Sequence, residues 1–244
     1  MIAALRYIVS HLVFTIYCAM RIIIAAALGE RYRPGGTFDE MPRLYGRSLL
    51  RINRIPLTVT GLAAAVRAGP CVYVSNHESW LDILALMAVL PGSFRFVAKR
   101  EIRFFPFIGW ALRAGGQIVI DRTRITRAIR VYDEAAREIQ GGLSAVVFAE
   151  GTRTRDGRLL PFKKGPFVLA IAAQVPVVPV YVEGGFAMQP KGHLWPRAGT
   201  LHVHLGEPIP TTGLAYEDRG DLMRRARRAV VAMGARDSVA SQGA

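Results

Sequence analysis

The run Val74-Ser75-Asn76-His77-Glu78-Ser79-Trp80-Leu81-Asp82 carries a histidine and, five residues on, an aspartate. An imidazole takes a proton near neutral pH, and a carboxylate on its second nitrogen fixes the tautomer and steadies the imidazolium. On one regular helix the two side chains would diverge by about 140° at 3.6 residues per turn. They meet only if His77 lies in a turn and Asp82 on the helix that follows. Taken alone, the two residues read as a surface histidine and an ordinary first-turn aspartate; the surrounding elements change that weighing.

Those elements alternate. Cys71 to Val74 reads as a strand leading into His77, and Ser79 stands where it would N-cap a helix through Leu81, Leu84, Ala85 and Ala88, stopped at Pro91-Gly92. Leu57 to Thr60, Phe94 to Ala98, Ile118 to Ile120, Ala145 to Phe148, Val177 to Val182 and Leu201 to Leu205 are further strands. Between them fall an amphipathic helix with Ala128, Ile129, Tyr132, Ala135, Ala136 and Ile139 at helical spacing, and a short helix over Phe167 to Ala173. A last helix turns Leu222, Ala226, Ala229, Val230 and Met233 inward and sets Arg224, Arg225, Arg227 and Arg228 mainly outward. This order predicts an α/β fold, a mixed, largely parallel sheet flanked by helices. Residues 55–236 would form the domain, and 237–244 a flexible tail.

The 244 residues suffice for one substantial α/β domain. With 32 Lys+Arg against 18 Asp+Glu, a net charge of +14 favours an anionic partner: a membrane surface, nucleic acid or a phosphorylated substrate. A hydrophobic content of 51% argues against nucleic acid. Cys18 and Cys71 offer neither a disulfide framework nor a zinc cluster, and suit a reducing compartment. His202 and His204 share a strand face, but no clustered carboxylate or cysteine accompanies them, so no metal is expected.

Residues 1–54 read as membrane-anchoring. Tyr7 to Leu28 is almost wholly apolar, about the length a membrane-crossing helix needs. Arg6, Ser10, Tyr17 and Arg21 fall on one narrow stripe, which fits a helix lying in one leaflet with arginine reaching phosphates. Spanning and in-plane geometries both remain open; a cleaved signal peptide fits poorly, because the run is too long and carries a charge. Phe38 to Asn53 is a second amphipathic candidate, with Arg43, Arg47, Arg51 and Arg54 suited to lipid headgroups, a reading favoured over a surface helix packed on the domain because it directly follows the anchor.

Three more strand-like runs end in charged or glycine-bearing loops: Gln117 to Arg122, Val147 to Arg153 with its continuation to Phe162-Lys163-Lys164-Gly165, and Val175 to Val180. Loops at strand ends are where α/β sheets build sites. Asn76-His77 to Asp82, Ala98-Lys99-Arg100-Glu101 through Ile120-Asp121-Arg122, Phe148-Ala149-Glu150-Gly151-Thr152-Arg153 and the proline-marked Val175–Val180 together resemble the glycerolipid acyltransferase family, in particular its 1-acylglycerol-3-phosphate acyltransferases. The resemblance runs from about Thr58 to Ile209 in family order. One departure is Ala149, where the family block usually has proline.

The resemblance implies that His77 is the general base for a glycerol hydroxyl and Asp82 its orienting carboxylate. It implies that Arg122, Glu150, Gly151 and Arg153 bind the phosphorylated glycerol acceptor, with Lys99, Lys163 and Lys164 as further phosphate or donor contacts. The hydroxyl would attack an acyl thioester directly, without an acyl-enzyme. The donor would be acyl-CoA or acyl carrier protein, the acceptor lysophosphatidic acid and the product phosphatidic acid. No cofactor is implied, and the place of action is a membrane, on the cytoplasmic face of the inner membrane. Another lysolipid acceptor, such as a lyso-ornithine lipid, is the near alternative; a noncatalytic basic membrane-binding protein is the distant one. Phe104, Phe105, Phe107 and Trp110 would line an acyl groove, dip into lipid or fill core. Arg155 and Arg158 would meet phosphates or water.

Overall fold

The computed structural model describes residues 2–99, 101, 104, 107–120 and 134–240, with 99, 120 and 236–240 as backbone alone. The expected strands form as β1 (Leu57–Thr60), β2 (Val72–Ser75), β3 (Ser93–Lys99), β4 (Ile118–Ile120), β5 (Leu143–Phe148), β6 (Val177–Glu183) and β7 (Leu201–Leu205). They join in one sheet in the order β1-β7-β6-β2-β5-β3-β4. Neighbours run parallel except β6 and β7. Alternation with period two builds a core on each face. Tyr73, Val146, Val178 and Val180 point into one, and Val72, Val74, Ala145 and Val147 into the other.

The helices α1 (Ile2–Ala27), α2 (Thr37–Ile52) and α4 (Leu81–Val89) lie over the first face, with Leu49, Leu81 and Leu86 fully buried. Each such side chain contributes about 1.5–3 kcal/mol relative to exposure. The second face is covered by α6 (described over 134–140), α7 (Gly165–Ala173) and α9 (Arg219–Ala240). Three short helices were not expected: α3 (Leu62–Ala68), α5 (Ile108–Ala114) and α8 (Gly185–Met188). Of the residues expected on the amphipathic helix, Ala128, Ile129 and Tyr132 lie outside the described residues. Helix α9 runs to Ala240, four residues into the stretch expected as a tail.

Helix α2 packs on the domain as a structural element. Gly46 is pressed so closely on α4 that a Cβ there would stand 2.6 Å from the Leu84 carbonyl oxygen. Arg47 Nε donates to Ala88 O at 3.0 Å, and Arg43 Nη2 donates to Leu90 O at 3.3 Å and to Gly92 O. These carbonyls lie at and just beyond the α4 C-terminus, where helical partners run out and cations are favoured. The expected headgroup role of Arg43 and Arg47 is therefore corrected: α4 holds both.

Helix α1 is inverted relative to a soluble amphipathic helix. Its inward side carries Tyr7, Ser10, Cys18, Ala19 and Ala25, while Ile2, Leu5, Leu12, Val13, Tyr17 and Ile24 are exposed. Polar contacts fasten the inward side: Tyr7 Oη donates to Gln189 Oε1 (3.2 Å), Asn53 Nδ2 donates to Ser10 Oγ (3.0 Å), and the Thr15 and Tyr45 hydroxyls lie 3.0 Å apart. The N-terminal segment thus shares its core with the sheet instead of standing apart from it.

Candidate active site

Parallel pairing brings the C-terminal ends of β2, β5 and β6 together: Ser75 lies opposite Phe148 on one side and Val180 on the other. The loops leaving β2 and β5 therefore open at the same edge. Asn76, buried, grips β6 through both halves of its amide, donating from Nδ2 to Val182 O and accepting at Oδ1 from Val182 N, each at 2.8 Å. That double bond fixes the backbone one residue before His77.

His77 and Asp82 meet as their spacing requires, one in the turn and one in the first turn of α4. Asp82 Oδ2 lies 2.9 Å from His77 Nδ1 and accepts the backbone N–H groups of Glu78 (2.6 Å) and Ser79 (2.8 Å). The Asp82 side chain is fully buried and that of His77 is 13% exposed. A carboxylate at Nδ1 selects the tautomer whose Nε2 carries the lone pair, so the ring is set to accept a proton at Nε2. Ser79 acts at the helix start as expected: its Oγ accepts Leu81 N (3.2 Å), and Asp82, three residues on, reaches back to Ser79 N. Helix α4 begins at Leu81, and the same Ser79 Oγ donates to Gln189 O (2.9 Å). Gly185 closes the other side of the carboxylate, where an added Cβ would fall 2.5 Å from Asp82 Oδ1.

The second loop turns at once after β5, with Gly151 N donating to Phe148 O at 3.0 Å and Gly151 at φ +75°. Within this turn Glu150 reaches back across 73 residues: Oε1 accepts His77 N and Oε2 accepts Leu160 N, each at 2.7 Å. Thr154 N donates to His77 O at 2.9 Å, so His77 is held at both its backbone groups by the second loop. Ala149 N donates to Ser75 O at 3.0 Å, a bond that the proline usual at this position would lack. The Phe148 ring stacks on the His77 imidazole at 3.8 Å between centroids.

Two carboxylates beside the dyad are shifted toward neutrality. Burial pushes Glu78 up to about 7, reinforced by the Asp82 charge, against hydrogen bonds from Phe186 N and Asn76 Nδ2. Burial likewise pushes Glu150 up to about 7, opposed by its two backbone donors.

Arg153 stands on the same loop as Glu150, its guanidinium 4.9 Å from the centroid of the half-exposed Trp80 ring. Burial lowers its pKa, with the Asp82 charge acting the other way. Lys163 and Lys164 are exposed at the start of α7. Lys99 ends β3, its backbone registered on Ile120, but its side chain, with Arg100, Phe105, Asp121 and Arg122, lies outside what is described. Phe104, Phe107 and Trp110 are exposed. His202 and His204 face Thr58 and Thr60, whose hydroxyls lie 2.6 and 2.9 Å from their Nδ1 atoms. Among the described residues no three His, Cys, Asp or Glu are grouped to hold a metal ion.

Sequence reasoning gave no role to Asn76, Glu78, Phe148 or Gly185. Phe148 and Asn76 had a visible signal, since each directly adjoins a residue that was singled out. Gly185 had none, because it meets Asp82 only through the fold.

The residues gathered at this edge are those of the first and third sequence blocks; Arg100, Asp121 and Arg122 of the second lie outside the described residues. A family model described as Acyltransferase matches residues 56–183. The human 1-acyl-sn-glycerol-3-phosphate acyltransferase beta is 36% identical over 221 residues, covering 88% of this chain and 80% of its own. The human alpha protein is 40% identical over 163 residues, covering 66% of this chain and 58% of its own. Among solved structures, the 1-acyl-sn-glycerophosphate acyltransferase PlsC from Thermotoga maritima superposes with a TM-score of 0.77 at 25% identity, over 96% of this chain and 95% of its own. The chain belongs to the acyltransferase family, as the resemblance of its four blocks to the glycerolipid acyltransferases implied.

Proposed function

We propose that the protein transfers a fatty acyl group from a thioester, acyl-CoA or acyl carrier protein, to the free hydroxyl of 1-acylglycerol-3-phosphate, giving phosphatidic acid. The observation that carries this reading is the His77–Asp82 pair, with Nδ1 held at 2.9 Å and Nε2 left to act. Nε2 takes the hydroxyl proton as the oxygen attacks the thioester carbonyl. The tetrahedral centre then collapses, the C–S bond breaks, and the departing thiolate takes the proton from the imidazolium. His77 needs no nucleophilic serine on this route. Positioned base catalysis supplies about 10²–10⁴-fold and alignment of the two substrates much of the rest.

Arg153, beside the dyad, is the described cation best placed for the acceptor phosphate; Arg122, Glu150, Gly151, Lys99, Lys163 and Lys164 complete the set that the family resemblance implies. Glu150 acts through His77 and Leu160, whose amides it holds, and Gly151 through the tight turn. The inverted α1 supports membrane attachment in the plane of one leaflet: its apolar side faces out while its inner side is fastened to the domain from Tyr7 to Tyr45's partner Thr15. The cytoplasmic leaflet of the inner membrane fits the intracellular thioester donors.

The test is turnover by purified protein in detergent, with both donors and with lysophosphatidic acid set against lyso-ornithine lipid and other lysophospholipids. Lysophosphatidic acid should be preferred, and His77→Ala should lose turnover while keeping lipid binding. Wild-type rates in His77→Ala would end the mechanism; a preference for an acceptor lacking phosphate would end the substrate assignment.

A further inference from the structure

Away from His77, a cavity of about 250 Å³ opens where the N-terminal end of α1 meets the turn after α2 and the loop after α8. Three arginines line it, Arg6, Arg54 and Arg197, together with the buried Asn53 and Tyr7. Among the described residues none of the three is paired with a carboxylate. Arg6 reaches Asn53 O only at 3.5 Å, and its Nε is buried without an acceptor. Asn53 has committed Nδ2 to Ser10 Oγ and Leu49 O, which leaves its Oδ1 buried without a donor. Among the described residues the walls therefore present three guanidinium groups and no anion to meet them.

Arg54 adds an independent sign. It follows the C-cap of α2 with φ at +56°, a left-handed position where helices favour glycine or asparagine. An arginine kept there contributes charge to the cavity at the expense of backbone comfort. The rim is suited to a bilayer surface: Leu194 and Trp195 are exposed next to the Pro196–Gly199 wall, and Ile2 and Leu5 are exposed on the first turns of α1. A phosphate accepts well from guanidinium groups.

We propose that this cavity binds the phosphate headgroup of an anionic phospholipid of the bilayer, at a site separate from the reacting centre. The site rests on α1 facing the membrane, and not on the chemistry at His77. Its near end touches the dyad's support: Tyr7 lines the cavity and bonds Gln189, whose carbonyl holds Ser79.

The test is binding of the intact protein to vesicles of phosphatidylcholine alone and with phosphatidylglycerol, at about 0.15 M salt, where long-range attraction is screened. Neutral vesicles report on α1; the gain from phosphatidylglycerol reports on the cavity. The triple variant Arg6→Gln, Arg54→Gly, Arg197→Gln should lose that gain by roughly 100-fold, and Arg54→Gly alone by about five-fold. Because Arg54→Gly relieves a strained position, its melting temperature should hold or rise, which separates lost binding from lost folding. An equal loss in Arg224→Gln, Arg227→Gln, Arg228→Gln would show generic charge attraction and overturn the site, as would an unchanged cavity variant. Saturation by inorganic phosphate without any preference for phosphatidylglycerol would overturn the lipid source. Failure to bind either vesicle would remove both the site and the membrane reading, while leaving turnover at His77 untouched.

Discussion

The His77 imidazole and the Phe148 ring lie face to face, 3.8 Å between centroids with planes inclined by 14°. Asp82 fixes the ring at one edge, and Phe148 supports one of its faces. Phe148 gains that position from the register of β5 on β2, where it lies opposite Ser75, two residues before His77. The imidazole therefore has its rotation restricted by one group from the first turn of α4 and one from the end of β5.

Phe148→Ala removes the supporting face without touching the hydrogen bond to Asp82. Turnover should fall about ten-fold, the scale of one aromatic pair. Phe148→Tyr, which retains the ring, should keep most of the rate. Steady-state kinetics on both variants decide it; equal rates in the alanine variant and wild type would leave the stack without a catalytic part.

Asp82→Asn keeps the shape but presents an amide to Nδ1. The Glu78 and Ser79 N–H groups hold the amide oxygen toward Nδ1, so the tautomer is kept but the charge that steadies the imidazolium is lost, and turnover should drop on the order of 10²–10⁴-fold. Nitrogen-15 chemical shifts of His77 should show the neutral ring keeping its proton on Nδ1, which separates lost charge from a lost tautomer. A variant with an unchanged rate would refute the part given to the Asp82 charge.

Glu150→Gln keeps one acceptor where two are needed. Either His77 N or Leu160 N must then face an NH₂ group, which should cost roughly 1–3 kcal/mol of stability. Denaturant unfolding measures this directly. Turnover should fall as well, since His77 loses a backbone anchor, while the Michaelis constant for the thioester donor stays near its wild-type value.

Stability should decline as pH rises toward neutrality. Glu78 and Glu150 both move from an ordinary 4.5 to about 7 in the folded protein. Below 4.5 folded and unfolded chains both carry these protons; between 4.5 and 7 only the folded chain holds them, so each unit of pH favours unfolding. Above about 7 this loss is complete. Melting temperatures across that interval should fall in the wild type and fall less steeply in Glu78→Gln. Parallel slopes would show that Glu78 contributes nothing to them.

The strands and the dyad were legible because their signals are local. Val72 to Ser75 alternates between two cores, and the His77–Asp82 spacing admits only a turn followed by a helix. Glu150 was legible as a site residue but not as a clamp, because its partner amide is 73 residues away. Arg43 and Arg47 misled for a physical reason: an arginine row on an amphipathic helix suits lipid phosphates and helix-end carbonyls equally, and only packing against α4 decides. The short helices α3, α5 and α8 have too few turns to print a period. Ser79 was legible as the helix start because a serine three residues before an acidic side chain is a local capping signal.

The seating of α1 has a practical consequence for anyone seeking a detergent-free preparation. Cutting the chain before Thr37 is the obvious shortcut, since it discards the greasiest stretch. It would also strip the cover from Tyr45, release Asn53 from Ser10 and deprive Gln189 of Tyr7. Gln189 steadies Ser79, three residues from Asp82, so the shortened chain would forfeit its working geometry along with its grease. Replacing the outward leucines and isoleucines one by one is the gentler route.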